Sequence, residues 1–271
     1  MRSGRPIALL LDYDGTLVPF APTPDDAVPD RELLDLLAAL AASPHIDLHL
    51  VSGRSLDTMN RWFRHLPAGL WAEHGAACRR SPGAAWEILT PPGFDAGAID
   101  AAEAMLAEVT RATPGALVER KHTCVAWHYR MVEPRLADER LVVVRERAAR
   151  FADRALEVIE GRKVLEIRPR GVSKANAVDR IARGLPGTTP MVAVGDDRTD
   201  EDMFVALRQP AVAIRVGDGP TRAGYRLAAP WAVRLFLPTL LRNSQLTMKN
   251  LEFGADASRS RSGPSEAGLH R

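Results

Sequence analysis

Cysteine is nearly absent. Only Cys78 and Cys124 occur in 271 residues, with no CxxC pair and no histidine at ligand spacing, so neither a disulfide framework nor a zinc site is indicated. Long apolar runs are missing as well. The run Ile7–Leu11 is interrupted by Asp12, too soon for the apolar core of a signal peptide, and nothing nears the roughly 18 uninterrupted apolar residues of a membrane span. Nor does charge of one sign prevail: 36 Lys and Arg stand against 34 Asp and Glu, a formal net charge of +2. That balance indicates neither a nucleic-acid partner nor a polybasic membrane surface. No internal repeat is evident. These absences predict a cytoplasmic protein with no nucleic-acid or membrane partner, whose ligands must be argued from local sites.

What is present is a hydrophobic content of 46%, enough at this length to bury a sizeable core. Ile7–Leu11 is apolar without alternation, as expected of a parallel strand covered on both faces. It stops at Asp12-Tyr13-Asp14-Gly15-Thr16. Leucines at 33, 34, 36, 37 and 40 give Asp30 to Ala42 a helical spacing that Ser43-Pro44 ends. A strand is predicted over Ile46–Val51, a helix over Leu56–Leu66 and a short strand over Leu70–Ala72. The same grammar returns with a helix from Lys174 to about Ala182, a strand Met191–Val194 before Gly195-Asp196-Asp197, and a strand Ala211–Val216. Strands alternating with helices predict an α/β fold, a doubly wound Rossmann-like parallel sheet. Ligands of such sheets bind beyond the carboxyl ends of the strands, where the clusters Asp12-Asp14, Ser52-Arg54 and Asp196-Asp197 all fall.

Between the halves the pattern changes. Helices are predicted over Ala98–Thr113 and Leu136–Ala152, two strands within Leu117–Arg130 joined near Lys121-His122, and a hairpin over Leu156–Arg168 turning at Glu160-Gly161. This is a small α+β unit inserted into the sheet protein, placed to cap the strand ends. The expected division is a core of residues 1–92 and 171–243, an α+β cap of 93–170, and a Ser-, Gly- and Arg-rich tail of 244–271 expected to be disordered.

Two carboxylates at a buried strand end are costly unless a cation or hydrogen bonds compensate them. A lone Asp-x-Asp-Gly is usually just a turn. The second acidic run, Gly195 to Asp202, also follows an apolar strand. Two carboxylate sets at strand ends can share one hard, oxygen-seeking cation; the plainer reading is a helix start capped by Asp196 or Thr199. Ser52 and Gly53 suit an anion through hydroxyl and backbone N–H groups, or form an ordinary turn. Lys174 suits neutralisation of a nucleophile and a phosphoryl group, or is a solvated lysine.

Taken together and in order, Asp-x-Asp-Gly-Thr, Ser52, Lys174 and Gly-Asp-Asp-x-x-Asp resemble the four motifs of the haloacid dehalogenase phosphatases. The resemblance implies that Asp12 is the nucleophile, that Asp14 is the general acid and base, and that Mg2+ is held by the Asp12 carboxylate, the Asp14 backbone carbonyl and Asp196. It implies phosphate contacts from Gly15, Thr16, Ser52, Gly53 and Lys174, with Asp197 and Asp200 orienting waters or Lys174.

Over about residues 7–208 the chain is similar to trehalose-6-phosphate phosphatases, through Asp12–Leu17, Val51–Arg54, Glu73–Ala76, Val118–Lys121, His128–Arg130, Val164–Arg168 and Gly195–Phe204. That similarity implies a small sugar-phosphate substrate, trehalose biosynthesis, and functional coupling to a trehalose-6-phosphate synthase. Glu119, Lys121 and Glu166 are candidate sugar ligands by their hydrogen-bonding chemistry, with Arg162 or Lys163 assisting; cross-strand charge pairing is the plainer reading. His128 and Arg130 share one strand face, toward substrate or solvent. Arg54 and Glu73 are read as sugar contacts or loop braces, and His74 as a satisfied buried imidazole. Ala175-Asn176 departs from the family pattern, in which a glycine commonly follows the lysine. The competing readings are a phosphatase for glucosylglycerol, mannosylglycerate or sucrose phosphate, a catalytically silent sugar-phosphate-binding module, and a phosphomutase.

Overall fold

A computed structural model describes residues 7–243. The core begins with β1 (Ile7–Leu11), α1 (Arg31–Ala41), β2 (Ile46–Val51), α2 (Leu56–Phe63) and β3 (Gly69–Ala72), followed by two short strands, β4 (Ala77–Arg79) and β5 (Glu87–Ile88). The insert contributes α3 (Ala96–Arg111), β6 (Leu117–Arg120), β7 (Val125–His128), α4 (Pro134–Ala149), β8 (Leu156–Gly161) and β9 (Val164–Pro169). The core resumes with α5 (Lys174–Arg183), β10 (Met191–Gly195), α6 (Arg198–Ala206), β11 (Ala211–Val216) and β12 (Tyr225–Leu227). Residues 230–243 are helical.

The large sheet runs β12-β11-β10-β1-β2-β3-β4-β5, parallel from β12 through β3 and antiparallel at β4 and β5. β1 lies between β2 and β10, and its unbroken apolar run follows from burial on both faces. Leu9 and Leu11 pack with Leu33, Leu37, Met59, Phe63, Val233 and Leu237 on one side. Ala8 and Leu10 pack with Ala177, Val178, Ile181, Met203 and Phe204 on the other. The strand period of two thus assigns alternate residues to two helical layers.

The second sheet, β6-β7-β9-β8, is antiparallel throughout. Val125, Trp127, Leu165 and Ile167 point to α3 and α4 and form its own apolar cluster. The alternate residues face the opposite way, so Glu119 and Glu166 flank the small Ala126 in one cross-strand row.

Several boundaries differ from the sequence expectation. α2 ends at Phe63, not Leu66. The β8–β9 turn is Arg162-Lys163, not Glu160-Gly161: Gly161 pairs with Val164, and Lys163 takes the left-handed conformation at φ 66. Among the described residues, β4, β5, β12 and the helix at 230–243 had no counterpart in the sequence reading. The tail at 244–271 lies outside the described residues. Among them, no helix is long and apolar enough to cross a membrane.

Trp127 is fully buried in the insert's cluster, stacked on Tyr129 at 5.2 Å and donating from Nε1 to Thr110 Oγ1 at 3.1 Å. Trp127→Ala is expected to destabilise the insert by about 3–5 kcal/mol, measured by denaturant unfolding; a loss under about 1 kcal/mol would contradict this packing.

Candidate active site

The loop after β1 is tied down at once. Asp12 N donates to Val194 O at 3.0 Å, and Tyr13 O receives the N–H groups of Thr16, Leu17 and Val18. Gly15 adopts φ 78, and a Cβ there would fall 2.2–2.5 Å from the Asp196 carboxylate. Only glycine lets the two acidic loops approach so closely. Thr16 Oγ1 then donates to Asp196 Oδ1 at 3.3 Å. Residues 12 and 196, about two thirds of the chain apart, share one site.

Lys174 is the first residue of α5. Its ammonium is buried and donates to Asp12 Oδ1 at 2.5 Å and to Asp200 Oδ1 at 2.7 Å. The residues that depart from the family pattern build this helix start. Asn176 accepts from Ser173 N at 2.7 Å in a capping box. Asp200 Oδ2 receives the backbone N–H groups of Asp196 and Asp197 at 2.9 and 3.0 Å. Asp197 caps α6, accepting from Thr199 N at 2.8 Å and Thr199 Oγ1 at 2.7 Å.

This cluster holds more carboxylate than cation. Burial raises Asp12 to about 7; Lys174 pulls it down, while Asp196 and Asp197 push it up. Burial likewise raises Asp196 to about 8, helped by the charges of Asp200 and Asp197, and drives Asp200 well up. Burial opposes the charge on Lys174, but Asp12 and Asp200 outweigh it and raise the ammonium's affinity for its proton. Asp197 goes the other way. Burial would raise it, but Lys174 and Thr199 outweigh that and leave it below the usual carboxylate range. Oxygens of Asp12, Asp196 and Asp200 all lie within 4.8 Å of one another. An all-oxygen donor set with surplus negative charge fits a hard divalent cation. The oxygens of Asp200 already serve Lys174 and two N–H groups, so Asp12 and Asp196 are the carboxylates free to bind one.

Asp14 turns its carboxylate out of this cluster. Arg54 grips it with Nε to Oδ2 at 2.7 Å and Nη2 to Oδ1 at 2.5 Å. The same guanidinium donates to Pro24 O and lies over Trp62, 4.9 Å from the ring centroid. Arg54 is thus both a pocket wall and the partner of Asp14. Ser52 is buried beside it, its Oγ accepting from Arg54 N at 3.1 Å.

The cavity above these groups is lined from the core by Asp12, Asp14, Ser52, Gly53, Arg54, His74, Lys174, Asp197 and Thr199, and from the insert by Glu119, Lys121, His128, Arg130, Arg162, Val164 and Glu166. The insert's polar sheet face therefore looks at the strand ends, which decides the orientation of His128 and Arg130. The charged residues pair with one another as they line the cavity. Lys121 Nζ donates to Glu166 Oε2 at 2.7 Å, and His128 Nε2 lies 2.8 Å from Glu119 Oε2. Burial raises the Glu119 and Glu166 carboxyls, yet their cationic neighbours, Lys121 first, hold both below the usual range. Lys163 is the exception. It does not line the cavity; its Nζ stands 5.7 Å over the Tyr129 ring, and Arg162 takes its place because the turn falls at 162–163.

The loop from Phe20 to Pro24 also lines the cavity, and the sequence reading missed it. Phe20 stands between Arg130 and Arg162, whose guanidinium carbons lie 5.0 and 4.9 Å from its ring centroid. The only signal for it was its place directly after the Asp-x-Asp loop.

Strand order, paired acidic loops at the ends of β1 and β10, and a second sheet facing them define a fold class shared with a haloacid dehalogenase-like hydrolase from Bacteroides thetaiotaomicron, which superposes with a TM-score of 0.62 at 14% identity, covering 87% of this chain and 100% of that one. Within that class, residues 10–230 match the family described as Trehalose-phosphatase, and the chain belongs to it. It is 39% identical over 233 residues to a bifunctional trehalose-6-phosphate synthase/phosphatase of Thermoproteus tenax, covering 86% of this chain and 31% of that protein. Against a trehalose-phosphatase of Saccharomyces cerevisiae it is 35% identical over 219 residues, covering 73% and 24%. The trehalose-6-phosphate phosphatase C-terminal domain of C. albicans superposes with a TM-score of 0.79 at 27% identity, covering 88% of this chain and 92% of that one. The chain thus spans about a quarter to a third of the curated relatives' length.

Folded-state values of about 7 and 8 for Asp12 and Asp196 lie above the ordinary carboxylate value, so the metal-free fold holds extra protons. These two groups cost it stability as pH rises from about 4 toward 8. A divalent cation must displace those protons at low pH. A fixed magnesium concentration is therefore expected to raise the melting temperature more at pH 8 than at pH 6 in a thermal-shift measurement; equal shifts would contradict the assignment.

Proposed function

We propose that the chain hydrolyses trehalose 6-phosphate to trehalose and phosphate through an aspartyl phosphate on Asp12. The observation that supports this best is the juxtaposition in one cavity of a buried, lysine-bridged Asp12 with a face bearing Glu119, Lys121 and Glu166. The first set suits phosphoryl transfer and the second a polyhydroxylated leaving group. Family membership points to the same substrate. In this reading residues 1–92 and 171–243 carry the chemistry, and 93–170 act as a cap that selects the sugar.

An Asp12 oxygen attacks phosphorus as the ester P–O bond breaks, and the departing sugar oxygen takes a proton from Asp14. Water then attacks the acyl phosphate, Asp14 accepts its proton, and the P–O bond to Asp12 breaks to release phosphate. Asp14 is paired with Arg54 in the structure, so this role requires that pair to open. Lys174 offsets the charge of Asp12 and of the transferred group, while Ser52 and Gly53 supply hydroxyl and N–H donors; Gly15 N and Thr16 N already donate to Val18 O and Tyr13 O, and Thr16 Oγ1 to Asp196, so these two shape the loop instead. Mg2+ held by Asp12, the Asp14 carbonyl and Asp196 supplies the charge that lets an anion approach an anion. Asp200 and Asp197 fix Lys174 and the loop that carries Asp196. Coupling to a trehalose-6-phosphate synthase fits the Thermoproteus relative, whose name joins both activities.

Phosphate release is expected to be fastest with trehalose 6-phosphate in a panel including glucosylglycerol, mannosylglycerate and sucrose phosphates. A different best substrate overturns the sugar assignment. Asp12→Asn is expected to lower turnover at least about a thousandfold while the protein keeps its folded circular-dichroism spectrum; near-normal turnover overturns the nucleophile assignment.

A further inference from the structure

Glu73 and His74 are consecutive residues at the end of β3, and both hold left-handed backbone, with φ 51 and 57, a region that residues with side chains avoid. Neither conformation is needed merely to end a strand. Each side chain instead crosses from the core to the insert.

Glu73 is 1% exposed. Its Oε2 accepts from Thr123 N at 2.8 Å and from Thr123 Oγ1 at 2.7 Å, and its Oε1 accepts from His122 N at 3.1 Å. All three donors belong to the turn between β6 and β7. A buried carboxylate that takes three donors from one turn holds that turn firmly, because any displacement leaves a charge unsolvated.

His74 continues the same contact. Its backbone N donates to Ser52 O at 3.0 Å. Its ring lies where a Cβ on Gly53 would stand, 2.6 Å from Cε1 and Nε2, so the glycine of the phosphate loop makes room for the imidazole. Nε2 faces Glu166 Oε1 at 3.4 Å. Burial lowers the His74 pKa against the opposing pull of Glu166, and Nδ1 is buried without a hydrogen-bond partner, so the ring is not the satisfied imidazole expected from the sequence. The other oxygen of Glu166 takes Lys121 Nζ, and the same ammonium donates to Gly53 O at 2.8 Å. Gly53, His74, Glu166 and Lys121 thus close a ring of contacts between the loop that would receive phosphate and the two insert residues that would receive the sugar.

We infer that Glu73 and His74 are positioning residues: Glu73 fixes the height of the insert over the phosphate loop, and His74 aims Glu166 and Lys121 so that a bound sugar places its phosphate at Asp12. The inference rests on the reading that the insert's polar face holds the sugar. Its consequence is selective. A misplaced insert penalises a substrate held at both ends and leaves a substrate held only by the core untouched.

The test compares kcat and KM for the best sugar phosphate of the panel with those for p-nitrophenyl phosphate, whose leaving group carries no sugar hydroxyls for Glu119, Lys121 or Glu166 to bind. For Glu73→Gln and His74→Phe, kcat/KM with the sugar phosphate is expected to fall about a hundredfold, while the aryl phosphate stays within about threefold. His74→Gln, which keeps an N–H, is expected to recover most of the loss. Thr123→Val, which removes one donor from the other side, should show a smaller selective loss and serves if Glu73→Gln does not fold. Parallel loss on both substrates, or no loss on either, overturns the positioning role and leaves the substrate reading standing. A wild-type chain that prefers the aryl phosphate overturns both.

Discussion

The ammonium of Lys174 lies between Asp12 and Asp200, at 2.5 and 2.7 Å, with all three groups almost wholly buried. Taking such charges from water costs several kcal/mol each, and removing one partner of a buried pair costs about 3–5 kcal/mol. Further hydrogen bonds support the arrangement: Asp200 takes two backbone N–H groups besides the lysine, and Thr16 reaches Asp196. One lysine does not balance Asp12, Asp196, Asp197 and Asp200. Burial first, and the remaining negative charge second, explain why Asp12 and Asp196 hold their protons so strongly, and that charge gives a hard cation a place that solvent alone would not.

The fold delivers these groups from three directions. β1 ends at Asp12, β10 at the Asp196 loop, and α5 opens on Lys174, so the convergence belongs to the parallel sheet and its switch point. The insert adds a second polar wall to the cavity by the same period-two logic that builds its core. One face is spent on Trp127, Leu165 and Ile167, which leaves Glu119, Glu166 and His128 on the other. Glu73 and His74 lock the two layers in register through left-handed backbone that only a dense set of contacts sustains.

Much of this was legible in the sequence. β1, β2 and the start of α1 follow from unbroken apolar runs and helical leucine spacing, and Asp12, Lys174 and Asp196 follow from motifs at predicted strand and helix ends. What was illegible depends on neighbours distant in sequence. The grip of Arg54 on Asp14, the facing direction of the insert's charges and the Phe20 loop have no local signature. Strands of two or three residues such as β4 and β5 carry too few side chains to show a period. The hairpin is one case: with the turn at Arg162-Lys163 instead of Glu160-Gly161, Arg162 of the two candidates lines the cavity and Lys163 leans on Tyr129.

The central claim is that separate stretches of chain converge so that residue 12 bonds to phosphorus. Its most direct measurement is rapid acid quench during turnover of the sugar phosphate, followed by borohydride reduction and peptide mass mapping. The account predicts a reduced, formerly phosphorylated aspartate at position 12. A protein that turns over substrate with no modified residue, or with the modification elsewhere, would contradict it.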